Sequence, residues 1–401
     1  MAVSRFRSAV SPLRRKFDVG DRPHPTVAEA VAAERPSLPL HCLRPAAIED
    51  AAKRFLALFP GETLYAVKCN PEPSVLRAVH AAGVRHFDCA SPGEIALVRA
   101  MFPEAQLHYM HPVKARAAIR EAWRQHGVRD FALDSADELA KILAETRQPG
   151  TDRDLGLFVR LALPKGAAVY DLSGKFGASP EAAAALLAAA RPHAARLGLC
   201  FHVGSQCLEP AAYARALELA AGVIGAAGVA VDIIDVGGGF PVSYPDLVPP
   251  PLRDFTAAIG DAVARLGPAP AKLWAEPGRA LVAGGVSVVV QVQLRRGDAL
   301  YINDGIYGSL SDAGAPAFRF PVKLLRAAAA PELRGFEFFG PTCDSADRMR
   351  GPFLLPEDVH EGDWIEIGQL GAYGACLRTA FNGFDRARVV EVIDPPLLPA
   401  P

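Results

Sequence analysis

Four kinds of residue in this sequence are suited to chemistry, and each follows a short apolar segment. Lys68 ends one such segment and His202 another, residues 237–239 are three glycines, and Glu276 stands three residues before Arg279. A lysine amine in a pocket that lowers its pKa bonds to carbonyl carbons, and successive glycine N–H groups form a cradle for phosphate. Taken singly, each has an ordinary structural explanation: a surface lysine, a core histidine, a tight turn or a surface ion pair. Their common position after apolar segments indicates one shared site.

The apolar segments alternate with helical patterns. Eight of them have the pattern of strands, and alanine-rich amphipathic stretches separate them: 63–69, 85–90, 107–112, 130–135, 155–163, 199–206, 231–239 and 272–279. This alternation indicates a parallel sheet, and eight strands in about 220 residues favour a (β/α)8 barrel over an open sheet. We therefore predict an α/β fold with a TIM-like barrel at 36–280. The carboxyl ends of barrel strands share one mouth, where the candidate residues are expected to meet.

The pattern changes after residue 281. Segments of alternating or continuous apolarity follow one another without a long helical pattern, at 286–304, 318–326, 335–343, 363–373 and 386–393. This predicts a mostly antiparallel β domain at 281–401, to which we also assign residues 1–35. The segment 169–179 is expected to form an extra loop of the barrel. The Pro-rich segments 238–251 and 391–401 are expected to be a surface loop and a frayed tail.

The composition excludes several classes of protein. The chain has 401 residues with 43 basic and 44 acidic side chains, which argues against a nucleic-acid binder or a polybasic membrane-surface protein. Half of the residues are hydrophobic, no apolar run reaches the length of a membrane span, and disorder of the whole chain is ruled out. The seven scattered cysteines indicate neither a metal site nor a disulfide framework, so we expect a cytoplasmic protein. The basic, acid-poor leader before Asp18 is either a transit peptide or a polar entry to the first domain.

The motifs occur in an order that resembles one family. They are YAVKCN (65–70), FDCAS (87–91), HVGSQ (202–206), DVGGGFP (235–241), AEPGR (275–279), YINDGIYGS (301–309), GPTCDSAD (340–347) and GAYGACLRTAFNGF (371–384). Together they resemble the pyridoxal-phosphate-dependent ornithine, lysine and diaminopimelate decarboxylases of the alanine-racemase-like fold (fold type III), ornithine decarboxylase most closely. The resemblance covers roughly residues 36–390 and implies pyridoxal 5′-phosphate as the cofactor.

The resemblance also implies roles for the residues at the mouth. Lys68 would bond covalently to the aldehyde of the cofactor, Glu276 would keep its pyridine nitrogen protonated, and His202 would stack on its ring. Asp88 and Arg160 would line the cofactor site, with Glu94 behind them. The phosphate would be held by a larger group with backbone donors, hydroxyls and a fixed cation: Ser205, Gly237, Gly238, Gly239, Gly278, Arg279 and Tyr373.

Further residues are assigned to the substrate and to a second subunit. Cys343 would donate a proton to the substrate's α-carbon and Asp344 would bind the distal ammonium, both reaching a partner's site in a homodimer. Tyr307 is placed beside the substrate. Lys175 and Asp347 resemble a charged pair across the dimer interface, although either is equally well explained as a solvated side chain. Eukaryotic ornithine enzymes carry a Tyr-Asp-His stretch after YGS, which is missing here, and Asp312 is the candidate substitute.

The resemblance leaves three functions open. The first is decarboxylation of L-ornithine to putrescine in polyamine synthesis; Asp344 favours ornithine, or lysine, because a single acid suits a distal ammonium. Lysine or diaminopimelate decarboxylation on the same scaffold is the alternative. A non-catalytic regulatory homologue is the remote one, and the presence of Lys68, Asp88, Arg160 and Cys343 argues against it.

Overall fold

The computed structural model describes residues 23–146, 154–166, 168–170, 174–265 and 272–398. A closed barrel of eight parallel strands forms its first part, as predicted. In the order of their hydrogen-bonded neighbours around the barrel, the strands are β10 (Ile233–Asp235), β11 (Lys272–Ala275), β2 (Glu62–Ala66), β3 (His86–Cys89), β4 (Gln106–Tyr109), β5 (Asp130–Leu133), β6 (Gly156–Arg160) and β8 (Arg196–Cys200). All eight predicted strand segments therefore contribute to the barrel. A separate two-stranded antiparallel ribbon pairs β7 (Ala168–Tyr170) with β9 (Ser205–Cys207).

Helices precede, separate and follow the barrel strands along the chain. They are α2 (Pro45–Leu58), α3 (Pro73–Ala81), α4 (Pro92–Met101), α5 (Arg116–Gln125), α6 (Ala136–Thr146), α7 (Pro180–Ala190), α8 (Pro210–Ala227), α9 (Leu252–Arg265) and the short α10 (Arg279–Val282). Helices α3 to α9 join successive barrel strands, and α2 and α10 connect the barrel to the second domain. Five of them begin with proline, whose fixed φ suits the first helical position. Ser91 and Ser179 cap α4 and α7, because each hydroxyl accepts a hydrogen bond from the amide three residues on.

The second part of the chain is a sheet with mostly antiparallel pairing. Its strands are β1 (Leu40–Leu43), β12 (Val286–Arg296), β13 (Ala299–Ile302), β14 (Val322–Leu324), β15 (Leu333–Phe339), β16 (Arg348–Pro356), β17 (Trp364–Ile367) and β18 (Arg388–Glu391). The predicted boundary at residue 36 differs from this arrangement, because β1 pairs with β12 and β18 and not with the barrel. The sequence prediction also missed β16, whose alternating pattern is interrupted by the Gly351-Pro352 pair.

Both ends of the described chain are attached to this sheet. Helix α1 (Val27–Glu34) packs its buried face against β1, β12 and β18. The segment 391–401 was predicted to be a frayed tail, but its described part is bound: Val392 bridges His24, and Asp394 accepts hydrogen bonds from Arg44 and from the amide of Val27. The basic leader lies in residues 1–22, outside the described residues.

The sheet domain also contacts the barrel at its mouth. The side-chain amide of Asn70 donates to the backbone carbonyl of Gly371 at 2.8 Å. The backbone amide of Tyr373 donates to the backbone carbonyl of Cys69 at 2.9 Å. The Pro-rich segment 238–251 was expected to be a surface loop. Its first half is largely buried instead, since Phe240 and Tyr244 are 1% and 2% exposed, whereas Val248 in the second half is 82% exposed. The Tyr244 ring packs on Phe318 and Phe320 of the second domain, contacts that the proline and glycine content does not reveal.

Two negative findings concern the described residues. No helix among them is long and apolar enough to cross a membrane. Nor do they contain a group of three or more acidic, histidine or cysteine side chains arranged to hold a metal ion.

Candidate active site

A cavity of about 470 Å³ opens at the carboxyl ends of the barrel strands. Most of the residues predicted to bind the cofactor line it, although they come from distant parts of the chain: Lys68, Asp88, Arg160, His202, Ser205, Gly238, Gly239, Glu276, Gly278, Arg279 and Tyr373. Tyr373 comes from the sheet domain, with φ of 62°. The barrel fold therefore brings the predicted rim residues together, and the second domain of the same chain closes one side.

Lys68 and Asp88 form an ion pair in this cavity. Lys68 stands in a single turn of 3-10 helix directly after β2, and its Nζ donates to Asp88 Oδ2 at 2.5 Å. Asp88 is buried, whereas the lysine side chain is 41% exposed because it projects into the cavity. Burial acts to lower the pKa of Lys68, but the carboxylates of Asp88 and Glu276 outweigh it and raise that pKa. Without a ligand, the amine is therefore a cation held by Asp88.

Glu276 and Asp235 form a pair of buried carboxyl groups at the ends of β11 and β10. Burial and then mutual repulsion raise the pKa of Glu276 well above its usual range, and burial raises that of Asp235. Asp235 Oδ1 accepts from the amide of Gly237 at 2.8 Å, while Oδ2 is buried without a hydrogen-bond donor among the described residues. Two such groups cannot both be ionised cheaply, so we infer that they share one proton. Of the two, Glu276 faces the cavity.

His202 lines the cavity as a neutral imidazole. Its Nδ1 accepts from the amide of Gly204 at 3.0 Å, which fixes the ring after β8. Burial, and then the nearby cations Arg160 and Lys68, lower the pKa of His202 well below its usual range. A neutral, fixed ring suits the predicted stacking role.

The glycine triplet makes a turn that only glycine fits. Gly237 has φ of 68°, and a Cβ there would lie 2.1 Å from the carbonyl oxygen of Phe201. Gly238 and Gly239 line the cavity, and among the described residues no acceptor binds their amides. Gly237 does not fit its predicted phosphate contact, because it lies outside the cavity lining and its amide donates to Asp235.

Arg279 is buried beside the glycine turn. Its Nη1 donates to the hydroxyl of Tyr244 at 2.7 Å and its Nη2 donates to Asp312 Oδ2 at 2.8 Å. The Nε atom is buried and has no acceptor among the described residues. Asp312 therefore does not fit the substrate contact predicted for it, since its carboxylate binds Arg279 and does not line the cavity. The sequence could not show this, because a carboxylate in an irregular loop has no periodicity that fixes its direction.

The residues predicted to come from a partner subunit form a separate cluster on the sheet domain. Asp344 accepts hydrogen bonds from the Tyr307 hydroxyl and from the amide of Ala346, and these contacts lower its pKa. Cys343 is exposed, and its amide donates to Asn382 Oδ1 at 3.0 Å. Tyr307, Cys343 and Asp344 do not line the cavity of their own chain.

Lys175 and Asp347 have unequal surroundings. Lys175 lines the cavity next to Phe176. Asp347 is 2% exposed, and its carboxylate accepts from the amide of Ile306 and from the hydroxyl of Thr342. Asp347, bound in this way within its own chain, does not fit a solvated acid.

Sequence reasoning missed part of the cavity wall. His111 and Pro112 follow β4, and Phe176 belongs to the loop predicted at 169–179; its ring centroid lies 5.1 Å from that of His111. The position of His111 at a strand end was the available signal. Glu94, expected behind the cofactor site, accepts from the amide of Ala90 at 2.7 Å and so fixes the turn that carries Ala90 into the cavity wall.

Comparisons with known proteins agree with this geometry. Residues 45–283 match the family model described as pyridoxal-dependent decarboxylase, pyridoxal binding domain. The chain is 35% identical over 343 residues to the lysine/ornithine decarboxylase of Selenomonas ruminantium, covering 83% of this chain and 84% of that protein.

Two solved structures are similar along most of their length. The lysine/ornithine decarboxylase of Vibrio vulnificus, complexed with putrescine, has a TM-score of 0.78 at 32% identity and covers 92% of this chain and 99% of its own. The arginine decarboxylase of Paramecium bursaria Chlorella virus, bound to agmatine, has a TM-score of 0.80 at 28% identity, with 91% and 99% covered.

Proposed function

The chain belongs to the pyridoxal-dependent decarboxylases, and from that premise we propose that it converts L-ornithine to putrescine in polyamine synthesis. Decarboxylation of a basic amino acid with pyridoxal phosphate is the function that its relatives share. The observation that carries the proposal is the meeting of Lys68, Asp88 and Glu276 in one cavity. We also propose a cytoplasmic location, which the seven free cysteines support.

The residues present fit pyridoxal phosphate. Lys68 offers an amine for its aldehyde, Glu276 a carboxyl for its ring nitrogen, and the amides of Gly238 and Gly239 with Arg279 offer donors for its phosphate. When bound, the cofactor supplies an electron sink for the charge left on the substrate's α-carbon after loss of CO2. Protein side chains offer no such sink. The site is therefore built around a lysine, whose amine would hold a cofactor that supplies one.

The side chains of this chain then orient and move protons. Asp88 binds the Lys68 amine, and this contact keeps the amine directed into the cavity. The buried Glu276 and Asp235 hold a proton where the ring nitrogen would lie. His202 supplies a flat neutral face, since its Nδ1 is already bound to Gly204. Glu276, which is 4% exposed, and the other buried groups around it exclude water from this end of the cavity.

A second copy of the chain would complete the site. Among the described residues that line the cavity there is no cysteine, whereas Cys343 is exposed on the sheet domain. We therefore propose a homodimer in which Cys343 Sγ gives a proton to the α-carbon and Asp344 binds the distal ammonium in the partner's cavity. The Tyr307 hydroxyl and the Ala346 amide keep Asp344 ionised and oriented for that contact.

The preference for ornithine or lysine over diaminopimelate rests on Asp344. A lone ionised carboxylate suits one distal ammonium, whereas diaminopimelate would also need a cation for its second carboxylate. Lysine differs from ornithine by one methylene, and a single methylene is worth only about 10–200-fold in discrimination. Lysine decarboxylation therefore remains the second candidate, favoured by the lack of the Tyr-Asp-His stretch after YGS.

A product assay tests the substrate. Purified protein with pyridoxal phosphate is offered ornithine, lysine, arginine and diaminopimelate separately at equal concentration, and the amines are quantified by mass spectrometry. We expect putrescine at the highest kcat/KM and cadaverine second. Higher kcat/KM for any of the other three substrates would overturn the ornithine assignment, and no amine from any of them would favour a non-catalytic homologue. Lys68→Ala protein controls for amine formed by contaminating enzymes.

Mixing two inactive variants tests the shared site. Lys68→Ala and Cys343→Ala proteins are unfolded and refolded together, or co-expressed, so that subunits pair at random. A mixed dimer contains one cavity with both Lys68 and Cys343 intact, and we expect about a quarter of the wild-type activity. Activity no greater than the mean of the two separate variants would show that each chain uses its own Cys343.

A further inference from the structure

Arg279 already has a counter-ion inside the protein. Its side chain is 5% exposed and that of Asp312 is 11% exposed, and Arg279 Nη2 lies 2.8 Å from Asp312 Oδ2. The Phe318 and Tyr373 rings lie on the guanidinium, with centroids 5.0 and 5.3 Å from Cζ. Asp312 and Phe318 come from the segment in which the Tyr-Asp-His stretch is missing. In this chain, that segment contacts Arg279 and does not line the cavity.

The charge of Arg279 is balanced, although only two of its five N–H groups make hydrogen bonds among the described residues. Tyr244 and Asp312 each bind one terminal nitrogen, and Nε is a buried donor that has no acceptor among the described residues. An anion that enters beside Arg279 meets a guanidinium whose charge is already compensated by a carboxylate. Charges that share one buried cation weaken each other's binding, because their mutual repulsion is poorly screened there.

We propose that Asp312 is the resident counter-ion of Arg279, a positioning residue that holds the guanidinium in place and lowers the affinity of the cavity for a phosphate group. The proposal rests on the proposed function only in taking Arg279 as part of the cofactor's phosphate site. Asp312 stabilises the protein while no phosphate is bound, and the cofactor's phosphate binds against its charge. The protein therefore binds the cofactor less tightly than it would if Arg279 had no carboxylate partner.

Titration of cofactor-free, full-length protein tests this. Wild-type and Asp312→Asn proteins are titrated with inorganic phosphate, followed by thermal shift, and with pyridoxal phosphate and pyridoxal, followed by absorbance. Asparagine preserves the shape and an acceptor for Nη2 but removes the charge. We expect Asp312→Asn to bind inorganic phosphate and pyridoxal phosphate about tenfold more tightly than wild type. Its affinity for pyridoxal, which carries no phosphate, should not change, and its melting temperature without ligand should fall.

Glu366→Gln is the matched control. Glu366 Oε1 accepts from Arg44 Nη2 at 2.8 Å, and this pair is equally buried but lies outside the cavity. This variant should also melt at a lower temperature, with phosphate affinity unchanged. If Asp312 had only a structural role, Asp312→Asn would give the same result as Glu366→Gln, a lower melting temperature with unchanged phosphate affinity. Unchanged or weaker phosphate binding by Asp312→Asn would overturn the proposal.

A second measurement covers a variant that folds poorly without ligand. Holo Asp312→Ser protein, purified with pyridoxal phosphate throughout, should lose cofactor more slowly than wild-type holoprotein on dialysis. Equal or faster loss would overturn the proposal. None of these readouts involves an amino acid substrate, so failure of the ornithine assignment appears in the product assay and leaves the phosphate titration unaffected.

Discussion

Strand β3 takes part in two charged clusters that behave differently. His86 and Asp88 are two residues apart and therefore share the inward face of the strand. Asp88 belongs to the mouth cluster, defined as Lys68, Asp88, Asp235, Glu276 and Arg279. His86 belongs to the floor cluster at the opposite end of the barrel, defined as His86, His108, Asp130 and Arg196.

The floor cluster is a chain of matched partners. His108 Nδ1 lies 2.9 Å from Asp130 Oδ2, and His108 Nε2 lies 2.9 Å from His86 Nδ1. Arg196 Nη2 donates to Asp130 Oδ1 at 2.9 Å. Trp274 closes this cluster off, because its ring packs on His108 and Phe158. Each charge here is compensated within the protein.

The mouth cluster is incomplete by comparison. A buried polar atom without a hydrogen-bond partner among the described residues occurs at each end, Trp274 Nε1 at the floor and Arg279 Nε at the mouth. At the mouth, in addition, the two buried carboxyl groups of Asp235 and Glu276 lie side by side. Such an arrangement costs stability unless a ligand completes it. Ion pairs therefore occur at both ends of the barrel, and what distinguishes the mouth is the pair of buried carboxyl groups Asp235 and Glu276 beside them.

The largest expected effect is on kcat, which a substitution at the mouth should lower and a substitution near the floor should not. Glu276→Gln removes the carboxyl that would hold the ring proton, and kcat should fall about 10²–10³-fold while visible cofactor absorbance remains. Glu62→Gln, at the start of β2 beside His86, is the control and should leave kcat unchanged. Steady-state kinetics measure both. A Glu276→Gln enzyme with wild-type kcat would remove Glu276 from the proposed chemistry.

The next effect concerns stability. Asp130→Asn takes the carboxylate from His108 and one of two carboxylates from Arg196, which keeps Asp154, and the free energy of unfolding should fall by about 2 kcal/mol. Because the floor does not touch the cavity, kcat of the folded variant should stay at the wild-type value. Urea unfolding measures the loss of stability, and steady-state kinetics on the same preparation measure kcat. A large loss of kcat without a loss of stability would contradict the division between the clusters.

The smallest effect is a dependence of stability on pH. Burial, and then His108, lower the pKa of His86 from 6.5 to about 4. Between these values the unfolded chain binds more protons than the folded protein, so the free energy of unfolding should fall as the pH falls from 6.5 towards 4. His86→Asn should reduce this slope without abolishing it, because burial also lowers the pKa of His41, to about 3. Urea unfolding at neutral and mildly acidic pH measures the slope, and an unchanged slope in His86→Asn would count against the floor network.

The sequence predicted the barrel and most of the mouth for a physical reason. A parallel strand must be apolar until its carboxyl end, so Lys68, His202 and Glu276 stand out where apolar runs stop. The ordered motifs added Tyr373, which the second domain contributes to the cavity wall.

Tertiary contacts decided the rest. The four residues of β1 pair with β12 and β18, which are distant in sequence, so a local pattern could not assign the strand to the sheet domain. Asp312 was predicted at the substrate and lies on Arg279, because its direction depends on how an irregular loop packs.

The covalent position of the cofactor is the central point. Purified protein is incubated with pyridoxal phosphate, reduced with borohydride, digested and examined by mass spectrometry. The account predicts a pyridoxyl group on the Nζ of Lys68, and no stoichiometric label in Lys68→Ala protein. A stoichiometric label on a different lysine of the wild-type protein would contradict it.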